Sequence, residues 1–283
     1  MTKSFSAAVL FGVTALLATP ATAGLLPTQN TGLASDAYVD VELVIAVDVS
    51  LSMDDEEQAL QREGYVKAFL DPLVISAIEQ GNHGKIAVVY VEWAGIGSQS
   101  VVVDWTLVDG RASAAALSGM LAEAPITRQR RTSISSAVGF AGALFDTNGY
   151  KGLRRVIDVS GDGPNNQGMR VDIARDDVIA RGITINGLPF VPDPSAPMSL
   201  FDLPELDAYY ETCVIGGPGA FSLPVYSAQE FGEAIRNKLV LEIAGITPPS
   251  RLAVSGPIPV AATSPVLCDV GERQWDLYMG NGP

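Results

Sequence analysis

The chain has 283 residues, of which 47% are hydrophobic and 18% are charged, a composition typical of a packed globular protein rather than a disordered one. Its formal net charge is −14, which argues against nucleic acid as a partner because phosphate binding needs a dense basic surface. The same charge is compatible with a cationic partner or with a bound cation.

The N-terminus has the pattern of a secretory signal peptide. Lys3 precedes an apolar run at Ala7–Ala18, and Ala21–Ala23 follows as a small-residue cleavage site. The apolar run is short for a membrane span, and an uncleaved anchor is the alternative. We therefore expect an exported protein, periplasmic or secreted, with no integral membrane segment after cleavage.

Four segments are predicted along the chain: a signal peptide over residues 1–23, a leader over 24–40, one α/β domain over 41–245 and a C-terminal tail over 246–283. In the domain, runs rich in Val and Ile alternate with segments of helical periodicity. This alternation is typical of an open, mostly parallel sheet with helices on both faces.

The elements follow in chain order. Strands are predicted at Val41–Val47, Ile86–Trp93, Val101–Asp104, Arg154–Val159 and Ile183–Leu188, with a weaker one at Cys213–Ile215 or Ala220–Leu223. Helices are predicted from an acidic start at Asp54–Glu57 to Ala77, and at Ala112–Leu121, Ser133–Phe145, Val171–Ala180 and Ala228–Ile243.

Oxygen-bearing side chains occur at three places that follow strands or open helices. Asp48, Ser50 and Ser52 leave the first strand. Thr132 opens a predicted helix, and Asp162 follows a later strand. Because ligand sites of open parallel sheets form at the carboxyl ends of strands, we expect all five side chains at one edge. Hydroxyls and carboxylates are hard ligands that suit Mg²⁺, Mn²⁺ or Ca²⁺.

Most of these residues also have a purely structural interpretation. Ser52 would serve as a helix N-cap with Asp55 as its reciprocal partner, and Thr132 would cap another helix. Asp162 would form an Asx turn before Gly163, and Asn165 and Asn166 would form such turns as well. This interpretation is weakest for Asp48, because a carboxylate that closes a buried strand needs a partner.

The order Asp-x-Ser-x-Ser, a distant Thr and a distant Asp-Gly resembles the metal-ion-dependent adhesion site (MIDAS) of the von Willebrand factor type A domain family. The resemblance covers roughly residues 41–242, and "VSGDGPNN" and "CVIGGPGAF" resemble an uncharacterised branch of exported bacterial proteins. It implies a Rossmann-like three-layer fold and a divalent cation, Mg²⁺ first. Ser50, Ser52 and Thr132 would contact the cation directly, Asp48 and Asp162 through water, and a carboxylate of a protein partner would fill the open position.

The resulting hypothesis is an exported binding module, not an enzyme, that uses a divalent cation to bind an acidic group on a protein partner. The alternative is a metal-assisted phosphatase or other hydrolase with Asp48 as nucleophile, although Ser50 stands where such enzymes usually have a second acid. A structural envelope domain with a vestigial site is a third possibility. Arg131 replaces the Gly that many relatives have before the Thr, so it either obstructs the metal or attracts an acidic ligand.

Two further residue types carry predictions. Cys213 and Cys268 are predicted to form a disulfide between the end of the domain and the tail, as suits an exported protein, with two free thiols as the alternative. His83 is the only histidine and precedes a predicted strand, so we expect it in a surface loop at the edge opposite the oxygen-bearing side chains. That position disfavours a Ser-His-Asp hydrolase.

Overall fold

A five-stranded sheet lies at the centre of the protein. The structure, a computed structural model, describes Met1 and residues 37–191, 201–248 and 266–280. Apart from Met1, the predicted signal peptide lies outside the described residues, as does most of the predicted leader. The strands are β1 (Ala37–Asp48), β2 (Ile86–Trp93), β3 (Gln99–Val108), β4 (Tyr150–Gly161) and β5 (Thr184–Pro189).

The strand order is β3-β2-β1-β4-β5. β1 pairs in parallel with both β2 and β4, β4 pairs in parallel with β5, and only the edge strand β3 is antiparallel to its neighbour. The predicted open, mostly parallel sheet is therefore confirmed. Within the described residues, no helix is both long and apolar enough to cross a membrane.

Helices cover both faces of the sheet. They are α1 (Asp55–Leu70), α2 (Pro72–Glu79), α3 (Arg111–Glu123), α4 (Ile134–Ala143), α5 (Val171–Ala180), α6 (Leu206–Tyr209), α7 (Phe231–Ala244) and α8 (Val270–Tyr278). Residues of α1, α2, α3 and α7 form one hydrophobic core with the sheet, and residues of α4, α5 and α6 form the other. The predicted three-layer architecture follows from these two cores.

The alternation of side chains along β1 explains its continuous apolar sequence. Val41, Leu43 and Ile45 point into one core, and Val44 and Ala46 point into the other. All five are fully buried, and full burial of one Val, Leu or Ile side chain contributes about 1.5–3 kcal/mol. A strand anchored on both faces holds the residue at its carboxyl end in a fixed position.

Several elements differ from the sequence predictions. β1 begins at Ala37, inside the predicted leader, and the helical pattern that reaches Ala77 is divided into α1 and α2. The division falls at Pro72, which has no amide hydrogen to continue α1 and instead starts α2. The weaker strand predicted at Cys213–Ile215 or Ala220–Leu223 is wrong at both places. Tyr210–Val214 forms a π-helical turn, and Ser222 forms an isolated bridge with Gly187 instead of a strand.

Candidate metal centre

The strand order of the sheet reverses at β1, which makes this strand the topological switch point. The chain places β2 on one side of this strand and β4 on the other, so the crevice between the carboxyl ends of β1 and β4 is the expected ligand site of such a sheet. Asp48 is the last residue of β1, and Asp162 follows Gly161, the last residue of β4. Both carboxylates therefore lie at this crevice.

The loop after β1 is held by its own polar groups. The Ser50 amide donates to Asp48 Oδ1 over 2.7 Å, and the hydroxyls of Ser50 and Ser52 are 2.8 Å apart. Gln58 of α1 donates to the Ser50 carbonyl over 3.2 Å. Ser52 is not the N-cap of α1, since Asp54 takes that place and forms a reciprocal capping box with the third residue of the helix. The Ser52 hydroxyl is therefore not needed for helix capping.

One hydrogen bond joins the β1 loop to the β4 loop. The Ser52 hydroxyl donates to Asp162 Oδ1 over 2.8 Å, across 110 positions of sequence. The Asx turn expected of Asp162 would use this oxygen locally, whereas the structure directs it to a distant strand end. Ser50, Ser52 and Asp162 thus place their side-chain oxygens together.

Thr132 enters from the loop between α3 and α4. Its amide donates to Asn166 Oδ1 over 3.0 Å, and its carbonyl accepts from the Asn166 amide over 2.9 Å. Thr132 does not cap α4, because Ser133 is the N-cap and its hydroxyl accepts from the Ser136 amide. Asn165 also ties the two loops together by accepting from the Ser135 amide over 3.0 Å. The sequence pattern around the two asparagines predicts local turns and does not reveal this role.

A single cleft collects these groups. Its volume is about 620 Å³, and Ser50, Ser52, Thr132 and Asp162 line it together with Arg130, Arg131, Phe201, Asp202 and Trp275. Asp48 is fully buried and is not among the residues that line the cleft. The structure thus brings four of the predicted ligands into one cleft, with the fifth bonded to the backbone of Ser50.

The electrostatics of the cleft favour a cation. Burial, followed by the charge of Asp162, raises the pKa of Asp48 well above its usual value. Burial likewise raises the pKa of Asp162 to about 6, against the opposing effect of the Ser52 hydrogen bond. Asp48 Oδ2 is buried and has no hydrogen-bond partner among the described residues. A buried, unpartnered carboxylate oxygen beside a second carboxylate is costly without a counter-charge, so the donor set fits a hard divalent cation.

The donor set consists mainly of hydroxyls. In the part of the chain that the structure describes, no group of three or more His, Cys, Asp or Glu side chains is placed to hold a metal. The predicted ligands are instead two carboxylates, of Asp48 and Asp162, and three hydroxyls, of Ser50, Ser52 and Thr132. The described residues that line it include neither His nor Lys. His83 lies in an exposed turn beside Asp40, near the start of β1 and thus at the opposite edge of the sheet.

The predicted C-terminal tail contains a helix, α8, that was not predicted from the sequence. Helix α8 lies beside the cleft, and a disulfide between Cys213 and Cys268 ties its N-terminal end to the π-helical turn after α6. Glu272 of α8 accepts from Asn165 Nδ2 over 2.7 Å. Trp275 and Tyr278, three residues apart on one helix face, were the available sequence signal.

Comparison with solved structures defines the class of fold. PTMP1 from mussel byssus is 13% identical with a TM-score of 0.53, over 74% of this chain and 49% of that chain. SpaC, a pilus adhesin from Lactobacillus rhamnosus GG, is 14% identical with a TM-score of 0.51, over 73% of this chain and 30% of that chain. A von Willebrand factor type A protein from Catenulispora acidiphila is 14% identical with a TM-score of 0.50, over 73% of this chain and 43% of that chain. The chain has the von Willebrand factor type A fold and spans half or less of the length of these proteins.

The family of the chain is also shown. Residues 38–247 match the family described as "Protein of unknown function (DUF1194)", and the chain belongs to this family. No protein with a curated description matches it. A second structure of mussel PTMP1, 12% identical to this chain with a TM-score of 0.51, has a zinc-occupied MIDAS motif. The predicted family resemblance is therefore confirmed at the level of fold.

Proposed function

We propose that this chain is a binding module that holds a divalent cation in the cleft and uses it to bind a carboxylate of a protein partner. The hydrogen bond from Ser52 to Asp162 carries the proposal. It joins the ends of β1 and β4 at the crevice where a sheet of this kind binds ligands. A chance cluster of serines in one loop would not include a carboxylate 110 residues away.

Ser50, Ser52 and Thr132 would hold the cation directly, and Asp48 and Asp162 would act through water. The bound cation supplies positive charge for a carboxylate that enters the cleft from outside. Hard oxygen donors favour Mg²⁺, with Mn²⁺ or Ca²⁺ as alternatives. Because the mussel protein holds zinc in its MIDAS motif, Zn²⁺ belongs among the ions to be tested.

A phosphatase with Asp48 as nucleophile has no structural observation in its favour. Asp48 is fully buried, and one of its oxygens is already bonded to the Ser50 amide. A nucleophile must reach the substrate, and this carboxylate is not among the residues that line the cleft. A binding role needs no such access.

We also propose that the protein is exported. The N-terminal pattern motivates this location, and the disulfide between Cys213 and Cys268 supports it, because disulfides persist mainly in oxidising compartments. Fusion of residues 1–30 to a reporter that is active only after export would test it, with cytoplasmic retention of the reporter contradicting it.

Isothermal titration calorimetry tests the metal site. Mg²⁺, Mn²⁺, Ca²⁺ and Zn²⁺ are titrated into the protein, into Asp48→Ala and into the control Asp54→Ala. Asp54 is also a carboxylate, two residues after Ser52, but it caps α1, so its loss should cost about 1 kcal/mol of stability and leave metal binding intact. We expect one site in the protein and the control, and none in Asp48→Ala. Equal heats for the protein and Asp48→Ala would contradict the proposal.

A further inference from the structure

We propose that Arg131 and the C-terminal helix α8 form a second anion-binding subsite beside the metal, so that the partner presents a pair of carboxylates. One carboxylate would bind the cation and the other the Arg131 guanidinium. This inference rests on the proposed function and specifies the partner of the same cleft: a peptide segment with two neighbouring acidic side chains.

The docking of α8 is tight enough to make it part of the cleft. Gly271, in the first turn of α8, packs so closely on the β4 loop that a Cβ there would lie 2.1 Å from the Asn165 carbonyl oxygen. The Glu272 carboxylate accepts from the Asn165 side chain, which in turn accepts from the Ser135 amide of α4. The same asparagine therefore holds both the first turn of α4, which follows Thr132, and the start of α8.

An aromatic cluster continues from α8 to the rim of the cleft. The rings of Phe201 and Trp275 stack with centroids 5.5 Å apart, and Tyr278 meets Phe201 edge-on at 5.3 Å. The Arg131 guanidinium carbon lies 3.4 Å from the centroid of the Trp275 ring. A guanidinium stacked at this distance gains cation–π attraction and is held in a fixed plane.

The backbone at Arg131 points to selection for its side chain. Its φ is 76°, which makes it the one non-glycine residue with positive φ among the described residues. This left-handed region is strained for side chains with a Cβ and suits glycine, and such strain tends to persist at functional sites. Arginine at a position where glycine would be relaxed indicates that the guanidinium has a use.

The geometry leaves the edge of this guanidinium available. Stacking on Trp275 occupies one face of the guanidinium. Arg131 has no hydrogen bond or ion pair with any residue in the described ranges. It lines the same cleft as Ser52 and Asp162. The N–H groups of guanidinium lie in its plane and match the two oxygens of a carboxylate. An incoming acidic side chain can therefore be bound at its edge while the stack stays intact.

The charges of the cleft agree with two acidic groups. A divalent cation would balance Asp48 and Asp162. The remaining charged residues that line the cleft are Arg130, Arg131 and Asp202, an excess of positive charge in a chain of net charge −14. A ligand with one carboxylate can bind only the cation, whereas a ligand with two can also form an ion pair with the Arg131 guanidinium.

Titration with blocked glycine hexapeptides tests the subsite. One peptide carries a single aspartate, a second carries two adjacent aspartates, and a third carries two aspartates at alternate positions. Binding to the Mg²⁺-loaded protein is followed by nuclear magnetic resonance at the amides of residues 130–132 and at the indole N–H of Trp275. We expect the better of the paired peptides to bind about three- to tenfold more tightly than the single one, the range for an added charge-assisted hydrogen bond at a partly exposed site.

Variants separate the subsite from the metal site. Glycine suits the positive φ at this position, so Arg131→Gly should fold and bind Mg²⁺ normally but lose the preference for paired aspartates. Arg131→Lys should retain only part of this preference. The control Arg236→Ala removes an equal charge from α7, outside the residues that line the cleft, and should keep the full preference. Equal binding of single and paired peptides to a protein that binds Mg²⁺ would overturn the subsite alone. Absence of Mg²⁺ binding would overturn the proposed function itself.

Discussion

Replacement of Asp162 by Asn should stabilise the metal-free protein and abolish its stabilisation by metal. The Asn side chain keeps an oxygen that can accept from the Ser52 hydroxyl, so the link between the β1 and β4 loops survives. Its new amide group can face water, because Asp162 is only partly buried. The substitution therefore removes one negative charge from the cleft with little change of shape.

The size of the effect follows from the pKa. Burial raises the pKa of Asp162 from 3.8 to about 6, and one unit corresponds to about 1.4 kcal/mol, so ionisation in the fold costs at most about 3 kcal/mol. Water at the cleft relieves part of this cost. For an acid with a raised pKa, the stabilisation is present below pH 3.8 and is lost as the pH rises through about 6. Without metal, the wild-type protein should therefore lose up to this amount more than Asp162→Asn does over that range, since the other buried acids are common to both proteins.

Urea unfolding followed by tryptophan fluorescence provides the assay. The two proteins are compared at pH 4 and pH 7.5 in EDTA, and at pH 7.5 in excess Mg²⁺. In EDTA at pH 7.5 the free energy of unfolding of Asp162→Asn should exceed that of the wild type by about 1–3 kcal/mol. In Mg²⁺ the wild type should gain stability in proportion to metal saturation, and the variant should gain little.

Two results would contradict this prediction. If Asp162→Asn were the less stable protein in EDTA at pH 7.5, the carboxylate would be stabilising without a cation. If Mg²⁺ stabilised both proteins equally, the ion would bind elsewhere.

Two other perturbations have expected outcomes. Burial, followed by the charge of Asp158, raises the pKa of Glu242 to about 7. Glu242→Gln should therefore remove a stability loss of up to about 3 kcal/mol between pH 4.5 and 8, measured by urea unfolding, and an unchanged pH profile would contradict this. Replacing both Cys213 and Cys268 by Ser opens a covalent loop of 55 residues, so the free energy of unfolding should fall by up to about 4 kcal/mol. Amide hydrogen exchange should become faster in α8 than in the wild-type protein, by more than it does in β1. Unchanged exchange in α8 would show that the disulfide does not hold this helix.

The central strand and its polar end are readable from the sequence for a physical reason. β1 is buried on both faces, so its apolar run is continuous, and polar residues begin where the strand leaves the sheet. Asp48 then stands out because a carboxylate at the end of such a strand has no local way to be satisfied. Thr132 and Asp162, which follow Asp48 in this order along the chain, identify the other two loops of the site. Fold class and convergence of these groups could therefore be predicted together.

The helix caps and the asparagines show the limits of local patterns. Ser, Thr, Asp and Asn cap helices almost equally well, so a cluster of them does not reveal which member caps. Asp54 and Ser133 do so, and this leaves Ser52 and Thr132 available for the cleft. An Asn that bonds its own turn and one that bonds a distant loop have the same sequence signature, which concealed Asn165.

Helix α8 was missed because long-range contacts hold it in place. It has nine residues, fewer than an isolated helix needs to be stable in water. Its position depends on the disulfide at Cys268 and on the stacking of Trp275 with Phe201 and Arg131. None of these contacts is encoded in the periodicity of the tail, although the predicted disulfide already indicated that the tail returns to the domain.

Anomalous diffraction from crystals grown with Mn²⁺ would locate the bound ion. We expect one strong anomalous peak in the cleft, within about 2.0–2.6 Å of the hydroxyl oxygens of Ser50, Ser52 and Thr132. An empty cleft at saturating Mn²⁺, or a peak that contacts none of these hydroxyls, would contradict this expectation.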